Sequence, residues 1–419
     1  MIRKQVLFWL LLPAQLVMAQ GPVSLNDCQQ WAREQHPLLK QEELYRQMSE
    51  MKLKNLENNH LPQINLNAQA TYQSDVTQIG ISMPGIDFPG VSKDQYKAYL
   101  DVRQNIWDGG ITKANEMLEK AQDEANRQGV EVELYQVKEQ VNSLFFTSFF
   151  IQQNLDILAK KQETIETRRK QVESGVTHGV VLASDLDLLL AELIKLKQQQ
   201  TELQSGRETV LAALAILTGK QPADLDQLVI ESPDLIQGND LNRPELDFFD
   251  MQTELLSASS DLLQKKRNPK LFGFGQAGYG RPGLNMLNDD FDTYYLVGVG
   301  LNWTVFDWKN TKREQEVVRL QQEMVQTQQQ QFERNINIAL DGESRKIRQL
   351  QDMQESDREL IAVQERITQS SAAKLENGAI TMADYLQDLN AEVAARITLE
   401  TRKIQLEAVK INYQTIQGK

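Results

Sequence analysis

The chain has 419 residues, a quarter of them charged, with a formal net charge of −13 and only 11 prolines and 22 glycines. The acidic surplus excludes nucleic acid and anionic membrane surfaces as partners, because both need a basic face. One cysteine (Cys28) excludes an intrachain disulfide, and the scattered His36, His60 and His178 offer no metal-ligand spacing.

The N-terminus has the order of a cleaved export signal over residues 1–19. Arg3 and Lys4 are basic, Val6 to Leu12 is apolar, and Val17-Met18-Ala19 offers small-residue cleavage chemistry before Gln20. The apolar run is far below the ~20 residues that a spanning helix needs. Cys28 lies well past the expected cut, which argues against a lipid-anchored N-terminal cysteine. No later run could span a bilayer as a helix, so a membrane role requires a closed barrel.

From residue 20 the chain is written twice, as 20–235 and 236–419. Shifted by 244 − 37 = 207 positions, Pro37 falls on Pro244, Pro62 on Pro269, Ala70 on Ala277 and Tyr72 on Tyr279. The first copy predicts a helix over 24–60, strands over 63–74 and 95–107, and helices over 110–173 and 184–218. The second predicts a helix over 244–267, strands over 270–280 and 293–306, and helices over 310–376 and 381–415.

The strands alternate at period two. Ile64, Leu66, Ala68, Ala70 and Tyr72 share one face, and Asn65, Asn67, Gln69 and Thr71 the other. Tyr96, Ala98, Leu100, Val102 and Ile106 stand against Lys97, Asp101, Arg103 and Asn105. Tyr295, Val297, Val299, Leu301, Trp303 and Val305 stand against Tyr294, Gly298, Gly300, Asn302 and Thr304. In Leu271 to Tyr279 the repeat parity puts Gly273 and Gly275 on the apolar face and Phe272 and Phe274 on the polar one. Either the rings fill a lumen or the register shifts. Strands of ~9–11 residues with an apolar band suit an outer-membrane barrel, but four cannot close one, since the smallest use ~8.

The helices carry heptad stripes. One runs through Val130, Leu134, Val137, Val141, Leu144, Ile151, Leu155, Leu158, Ile165 and Val172, and is broken at Ser148, Gln162 and Arg169. Its partner runs from Leu186 to Leu217, and a looser pair occupies the second copy. A helix of about 60 residues rises ~90 Å. Asp108 and Asp307 each follow a strand and precede a helix, where a carboxylate can cap the first turn.

The two repeats, the strand-end motifs Ile106-Trp107-Asp108-Gly109-Gly110 and Val305-Phe306-Asp307, and the helical tips Ser174-Gly175 to Asp185 and Asn377-Gly378 to Asp384 resemble the TolC family of outer-membrane efflux proteins. The resemblance covers essentially all of the mature chain. It implies an α+β membrane protein in which twice-repeated helical coiled-coil hairpins and four strands per chain form a homotrimer. Its twelve-stranded β-barrel would lie in outer-membrane lipid and continue as a periplasmic α-barrel, with an equatorial belt contributed partly by Gln221 to Asn242. The implied role is the exit duct of a tripartite efflux or type I secretion system. Such a duct docks by its tips to a periplasmic adaptor, and through the adaptor to an inner-membrane transporter. No enzymatic activity and no cofactor are implied.

The resemblance also places a gate at the tips, where a glycine is followed by two acidic positions. Asp384 matches the first; Gln387 stands at the second, with Asp388 one residue on and turned by about 100°. A basic residue expected near Ile380 is missing. In the first repeat Gly175, Val176, Thr177, His178 and Gly179 precede Asp185 and Asp187. Counted from Gly175 to Asp185, this tip is four residues longer than Gly378, Ala379, Ile380, Thr381 to Asp384, which predicts a distinctive adaptor contact. Asp185, Asp187 and Asp388 are equally compatible with helix-capping carboxylates. Threefold crowding of Asp384 would raise its pKa.

Three alternatives compete. A periplasmic coiled-coil adaptor carries one hairpin, which the duplication contradicts. A structural rod has no use for strands inserted at matching places. An exported enzyme lacks a nucleophile constellation, and Gly273-Phe274-Gly275-Gln276-Ala277-Gly278 has its third glycine one place early for a dinucleotide loop.

Overall fold

The computed structural model describes residues 22–77, 91–225, 227–230 and 240–419. The export signal expected over 1–19 lies outside these residues, as do positions 78–90 of the first interstrand loop and 226 and 231–239 of the Gln221 to Asn242 segment. In chain order come β1 (Val23–Ser24), α1 (Leu25–Gln35), α2 (Leu38–Glu57), β2 (Gln63–Tyr72), β3 (Asp94–Trp107), α3 (Ile111–Thr177), α4 (Ala183–Thr218), β4 (Leu228–Val229), α5 (Pro244–Lys265), β5 (Lys270–Arg281), β6 (Asp292–Asn302), α6 (Asn310–Glu376) and α7 (Met382–Gln417). Among the described residues no helix is long and apolar enough to cross a membrane.

The duplication is closer in the helices than in the strands. Helices α3 and α6 both have 67 residues and α4 and α7 both have 36. They superpose in sequence at 310 − 111 = 199 and 382 − 183 = 199. The strands β2 and β5 keep the offset of 207, so 207 − 199 = 8 residues are lost within the connection from β5 to β6.

Where one helix was expected over 24–60, two are present. Pro37 has no N–H to continue the ladder and pushes His36 into extended backbone (φ −71°, ψ 131°), so α1 ends and α2 starts afresh.

The chain divides into two compact units. One comprises Met1–His36, Leu134–Leu241 and Ile338–Lys419. Its core gathers Cys28, Val141, Phe145, Leu214 and Leu225, all fully buried, with β1 and β4 paired in parallel beside them. Asn142 ties this core to the last helix: its Nδ2 donates to Thr415 Oγ1 at 3.1 Å, while its Oδ1 accepts from Gln29 at 2.6 Å. A second cluster of Leu158, Ile165, Val172, Leu189, Leu196, Tyr385 and Leu386 is built from the heptad positions of α3, α4 and α7.

The other unit comprises Pro37–Glu133 and Asn242–Asn337. It holds α2, α5 and a four-stranded antiparallel sheet in the order β2-β3-β5-β6, so the central β3–β5 pair joins the two repeats.

Candidate functional site

Two features of the chain are built for more than a fold: the sheet, and the turns that close the helical hairpins.

In the sheet every strand pairs so that like faces coincide. Ile64, Leu66, Ala68 and Ala70 of β2 lie opposite Val102, Leu100, Ala98 and Tyr96 of β3. Leu271, Gly273, Gly275 and Ala277 of β5 lie opposite Leu301, Val299, Val297 and Tyr295 of β6. The resulting apolar face is uncovered, with Leu66 76% and Val297 77% exposed. Its charged residues, Asp94 and Arg281, stand at one end and pair with each other. The opposite face is polar, and there Gln276 Nε2 donates to Asp101 Oδ1 at 2.9 Å.

The register of β5 does not slip. Phe272 and Phe274 stand on the polar face, opposite Gly300 and Gly298 of β6. Each ring fills the space left by its glycine: a Cβ on Gly300 would come within 2.4 Å of Phe272 Cζ, and one on Gly298 within 2.5 Å of Phe274 Cζ. The Arg103 guanidinium lies 4.2 Å from the Phe272 ring centroid, a cation–π contact on the same face. The only irregularity in the central pair is a bulge between Asn105 and Trp107. Strand β6, expected to reach 306, stops at Asn302.

Both strand-to-helix turns are held by an aspartate. Asp108 accepts from the N–H groups of Gly110 at 2.9 Å and Thr112 at 2.6 Å. Asp307 accepts from those of Lys309 at 3.1 Å and Thr311 at 3.0 Å. The bond from the Thr311 hydroxyl is the main reason the Asp307 carboxyl is held below the usual carboxylate range. The backbone between is left-handed in both copies: Gly109 and Gly110 at φ 75° and 88°, Trp308 and Lys309 at φ 55° and 61°.

The two hairpin tips share one geometry. At the first, Gly179 (φ 73°) donates to Val176 O and Val180 to Gly175 O, both at 3.0 Å. At the second, Gly378 (φ 64°) donates to Leu375 O at 3.0 Å and Ala379 to Lys374 O at 2.8 Å. Each is the paired bond of a Schellman stop, which needs a left-handed residue, usually glycine. The residue matching Gly378 is therefore Gly179, not Gly175. Counted from it, both tips span six residues to their first aspartate (185 − 179 = 6 and 384 − 378 = 6), so the expected four-residue excess of the first tip is corrected. Gly175 sits inside α3, where a Cβ would lie 2.6 Å from Val181 Cγ2. Val176 and Thr177 complete that helix, and His178 Nδ1 lies 2.7 Å from Ser174 O.

The tips differ in their caps. Thr381 and Asp384 form a capping box at the start of α7: Asp384 N–H donates to Thr381 Oγ1 at 3.2 Å, and Thr381 N–H to Asp384 Oδ2 at 3.0 Å. The Thr381 hydroxyl bond, at 2.7 Å, holds the exposed Asp384 carboxyl below its ordinary pKa within the single chain. At α4 the N-cap is Leu182, which makes no side-chain bond, and Asp185 follows at the third position. Asp187 is exposed. Asp388 is half-buried and turned toward α6, where the Ser371 hydroxyl donates to it.

Between the tips lies a groove of about 640 Å³ lined by Val172, Val180, Leu182, Leu375, Ile380 and Met382, with Asp185 and Glu376 at its polar edge. Arg168 closes one side: its Nη1 is 3.2 Å from Glu376 Oε1 and its guanidinium 5.3 Å from the Tyr385 ring centroid. Arg168 was not singled out from the sequence, where it is one of several charges on a solvated stripe. The buried pair Lys161–Glu192, at 2.6 Å between α3 and α4, escaped for the same reason. Among the described residues no group of His, Cys, Asp and Glu could hold a metal ion.

No family model and no curated protein matches the sequence. Solved structures match the fold over nearly the whole chain. The outer membrane protein VceC from Vibrio cholerae has a TM-score of 0.67 at 13% identity, over 93% of this chain and 95% of its own. The transmembrane channel CusC gives 0.71 at 13% identity, over 97% of both chains. The outer membrane channel MtrE from Neisseria gonorrhoeae, in its open state, gives 0.66 at 15% identity, over 94% of this chain and 88% of its own. The chain has the fold of the TolC-type outer-membrane channels.

Proposed function

We propose that the chain is one protomer of a homotrimeric outer-membrane channel that serves as the exit duct of a tripartite efflux or type I secretion system. The carrying observation is the sheet: four strands, one apolar uncovered face, one polar face and two open edges. An apolar face whose two charges are paired at one end suits lipid, and lipid tolerates no open edge, so the strands must continue into those of other copies. Four strands are too few for a barrel and twelve are enough. The likeness to outer-membrane channels supports this reading and a location in the outer membrane with a periplasmic extension, and a channel rather than an enzyme.

The partners follow from the resemblance in the tips: an adaptor docking at Gly179 and Gly378 and their flanks, and an inner-membrane transporter behind it. The test is the mass and shape of the mature protein extracted in detergent, by light scattering and negative-stain imaging. A hollow trimer is expected; a monomer soluble without detergent would overturn the proposal.

The tip carboxylates are proposed as the gate. Asp384 is exposed beside the turn and is the best placed; Asp185 is its counterpart at the first tip (185 + 199 = 384), Asp187 lies two residues further on, and Asp388 supports it from between the helices. The missing basic residue near Ile380 has a substitute in Arg168, which reaches the same tip from α3. The variant Asp384→Ala with Asp388→Ala should leave the trimer intact and raise ion leak. Unchanged conductance in planar bilayers would remove both residues from the gate.

A further inference from the structure

The connection between β5 and β6 has its polarity inside out. Residues 282–288 carry no charge. Pro282 and Gly283 are buried at its root, whereas Leu284, Met286 and Leu287 are 57%, 58% and 59% exposed. Apolar side chains scattered singly over a surface are ordinary, but three within four positions of one turn form a patch.

The polar groups of the same loop are turned inward. Asn285 Oδ1 accepts from the Leu287 N–H at 3.1 Å, and Asn285 O from the Asn288 N–H at 3.2 Å. Asn288 Oδ1 accepts from the Asp290 N–H at 3.2 Å. The Asp289 carboxylate takes the Ser92 N–H at 2.8 Å and the Ser92 hydroxyl, just before β3 begins. A loop in water can leave such groups to the solvent; one at an apolar medium has to satisfy them itself.

The loop is also rooted on the apolar face of the sheet. Ala277 pairs with Tyr295 and Tyr279 with Thr293, so Arg281 and Phe291, two residues beyond Tyr279 and before Thr293, have the parity of that face. The Phe291 ring stacks on Tyr279, 5.4 Å between centroids, and on Tyr96 at 6.2 Å, so it leans across β5 toward β3. Arg281, paired with Asp94, lies 5.5 Å from the Phe291 centroid and 5.6 Å from that of Tyr96. The exposed apolar surface therefore runs from Val297 and Tyr295 through Tyr279 and Phe291 to the loop. The long helices join the sheet at its opposite end, so this rim is the one away from them.

We infer that the β5–β6 loop dips into the outer leaflet of the membrane, with Leu284, Met286 and Leu287 among the acyl chains. This rests on the channel reading above, which puts the apolar face in lipid, and adds a lipid contact outside the strands. The exposed Asp290 limits the depth to the boundary between headgroups and acyl chains, where interfacial segments reach ~5–10 Å.

Fluorescence quenching of the full chain in phosphatidylcholine vesicles tests it. A fluorophore is placed in turn at Leu284→Cys, Met286→Cys and Leu287→Cys, at Val297→Cys on the apolar face, and at Thr71→Cys on the polar face near the same rim. All five positions are exposed. Cys28 is buried and its thiol pushed up to about 12, so it does not take the label. Phosphatidylcholine with a nitroxide high on its acyl chain is the lipid quencher, and iodide the aqueous one.

The lipid should quench the three loop sites as it quenches Val297→Cys. The effect should be at least about threefold that at Thr71→Cys, because the thickness of a sheet, ~10 Å, separates the polar face from lipid. Quenching of the loop sites by iodide alone would overturn the inference and place the loop in water. Shielding from both quenchers would overturn it too, and would mean that loops of neighbouring copies cover one another. If Val297→Cys also escapes the lipid, the sheet is not in the membrane, and the channel reading falls together with the inference.

Discussion

The two strand-to-helix turns have the same backbone made from different residues, and the difference tracks what lies beside them. In the first copy the turn is Asp108-Gly109-Gly110. Asn268 and Pro269 pass so close that a Cβ on Gly109 would sit 2.6 Å from Asn268 Cβ, and Asn268 Nδ2 donates to Gly109 O at 2.6 Å. In the second it is Asp307-Trp308-Lys309, and Trp308 is 77% exposed with Phe306 against its ring, 4.7 Å between centroids. A left-handed residue with a side chain costs roughly 1–2 kcal/mol. The second copy carries two of them and holds them by the Asp307 bonds. The backbone path is therefore set by the aspartate cap, and the glycines of the first copy answer a spatial demand that the single chain does not make on the second.

Glycine replacement can break this comparison. Gly109→Ala combines the left-handed cost with the clash against Asn268, and should destabilise by about 3 kcal/mol. Trp308→Gly relieves one left-handed residue and loses an aromatic contact of ~0.5–1.5 kcal/mol, so it should fall within about 1 kcal/mol of zero. Thermal unfolding of the two variants in detergent decides. A loss at Trp308→Gly as large as at Gly109→Ala would mean that the indole, and not Asp307, holds the second turn.

The helical caps sharpen it at smaller scale. Thr381→Ala removes the box at α7 and should cost about 1 kcal/mol. Leu182→Thr would create at α4 the box that Asp185 already half supplies, and should gain up to about 1 kcal/mol. If Leu182→Thr lowers the melting midpoint instead, the exposed Leu182 is worth more as an apolar wall of the tip groove than as a cap.

What could be read from the sequence, and what could not, follows the same division. Alternation fixes a strand's faces, because period two is a local property: Ile64 to Tyr72 and Tyr295 to Leu301 stand as their pattern requires. Leu271 to Tyr279 stayed ambiguous because its apolar face is completed by glycines, while its two phenylalanines fill space above Gly298 and Gly300 on another strand. That is a cross-strand fact with no trace in the strand itself. Trp303 to Val305 alternate correctly but are not strand in one chain, since pairing needs a partner. At the tips the reading from Gly175 failed for a similar reason. Two glycines lie four residues apart, and only hydrogen bonding shows that Gly179 is the one in the left-handed stop. The carboxylates Asp384, Asp388 and Asp185 were visible as charges near a turn. That Asp384 closes a capping box was readable from Thr381-Met382-Ala383-Asp384, whereas the link from Ser371 to Asp388 required the neighbouring helix.

The last contrast is electrostatic, and it separates the cap from the ring at Asp384. Inside one chain the Thr381 bonds lower its pKa. A carboxyl lowered on folding contributes stability above its unfolded value of about 3.9, and loses it as pH falls through the folded value. Crowding of three carboxylates at a closed gate has the opposite sign, since it raises the pKa and costs stability at neutral pH. The melting midpoint of the trimer, compared with that of Asp384→Asn from pH 7 to pH 3, therefore reads which prevails. With the tips apart, the wild type should keep its advantage down to about pH 4 and lose it below. If instead the wild type melts lower at pH 7 and gains on the variant as pH falls toward 5, the three aspartates face one another and the resting gate is closed. The exposed carboxyl makes either effect the smallest expected here, because solvent and salt screen both.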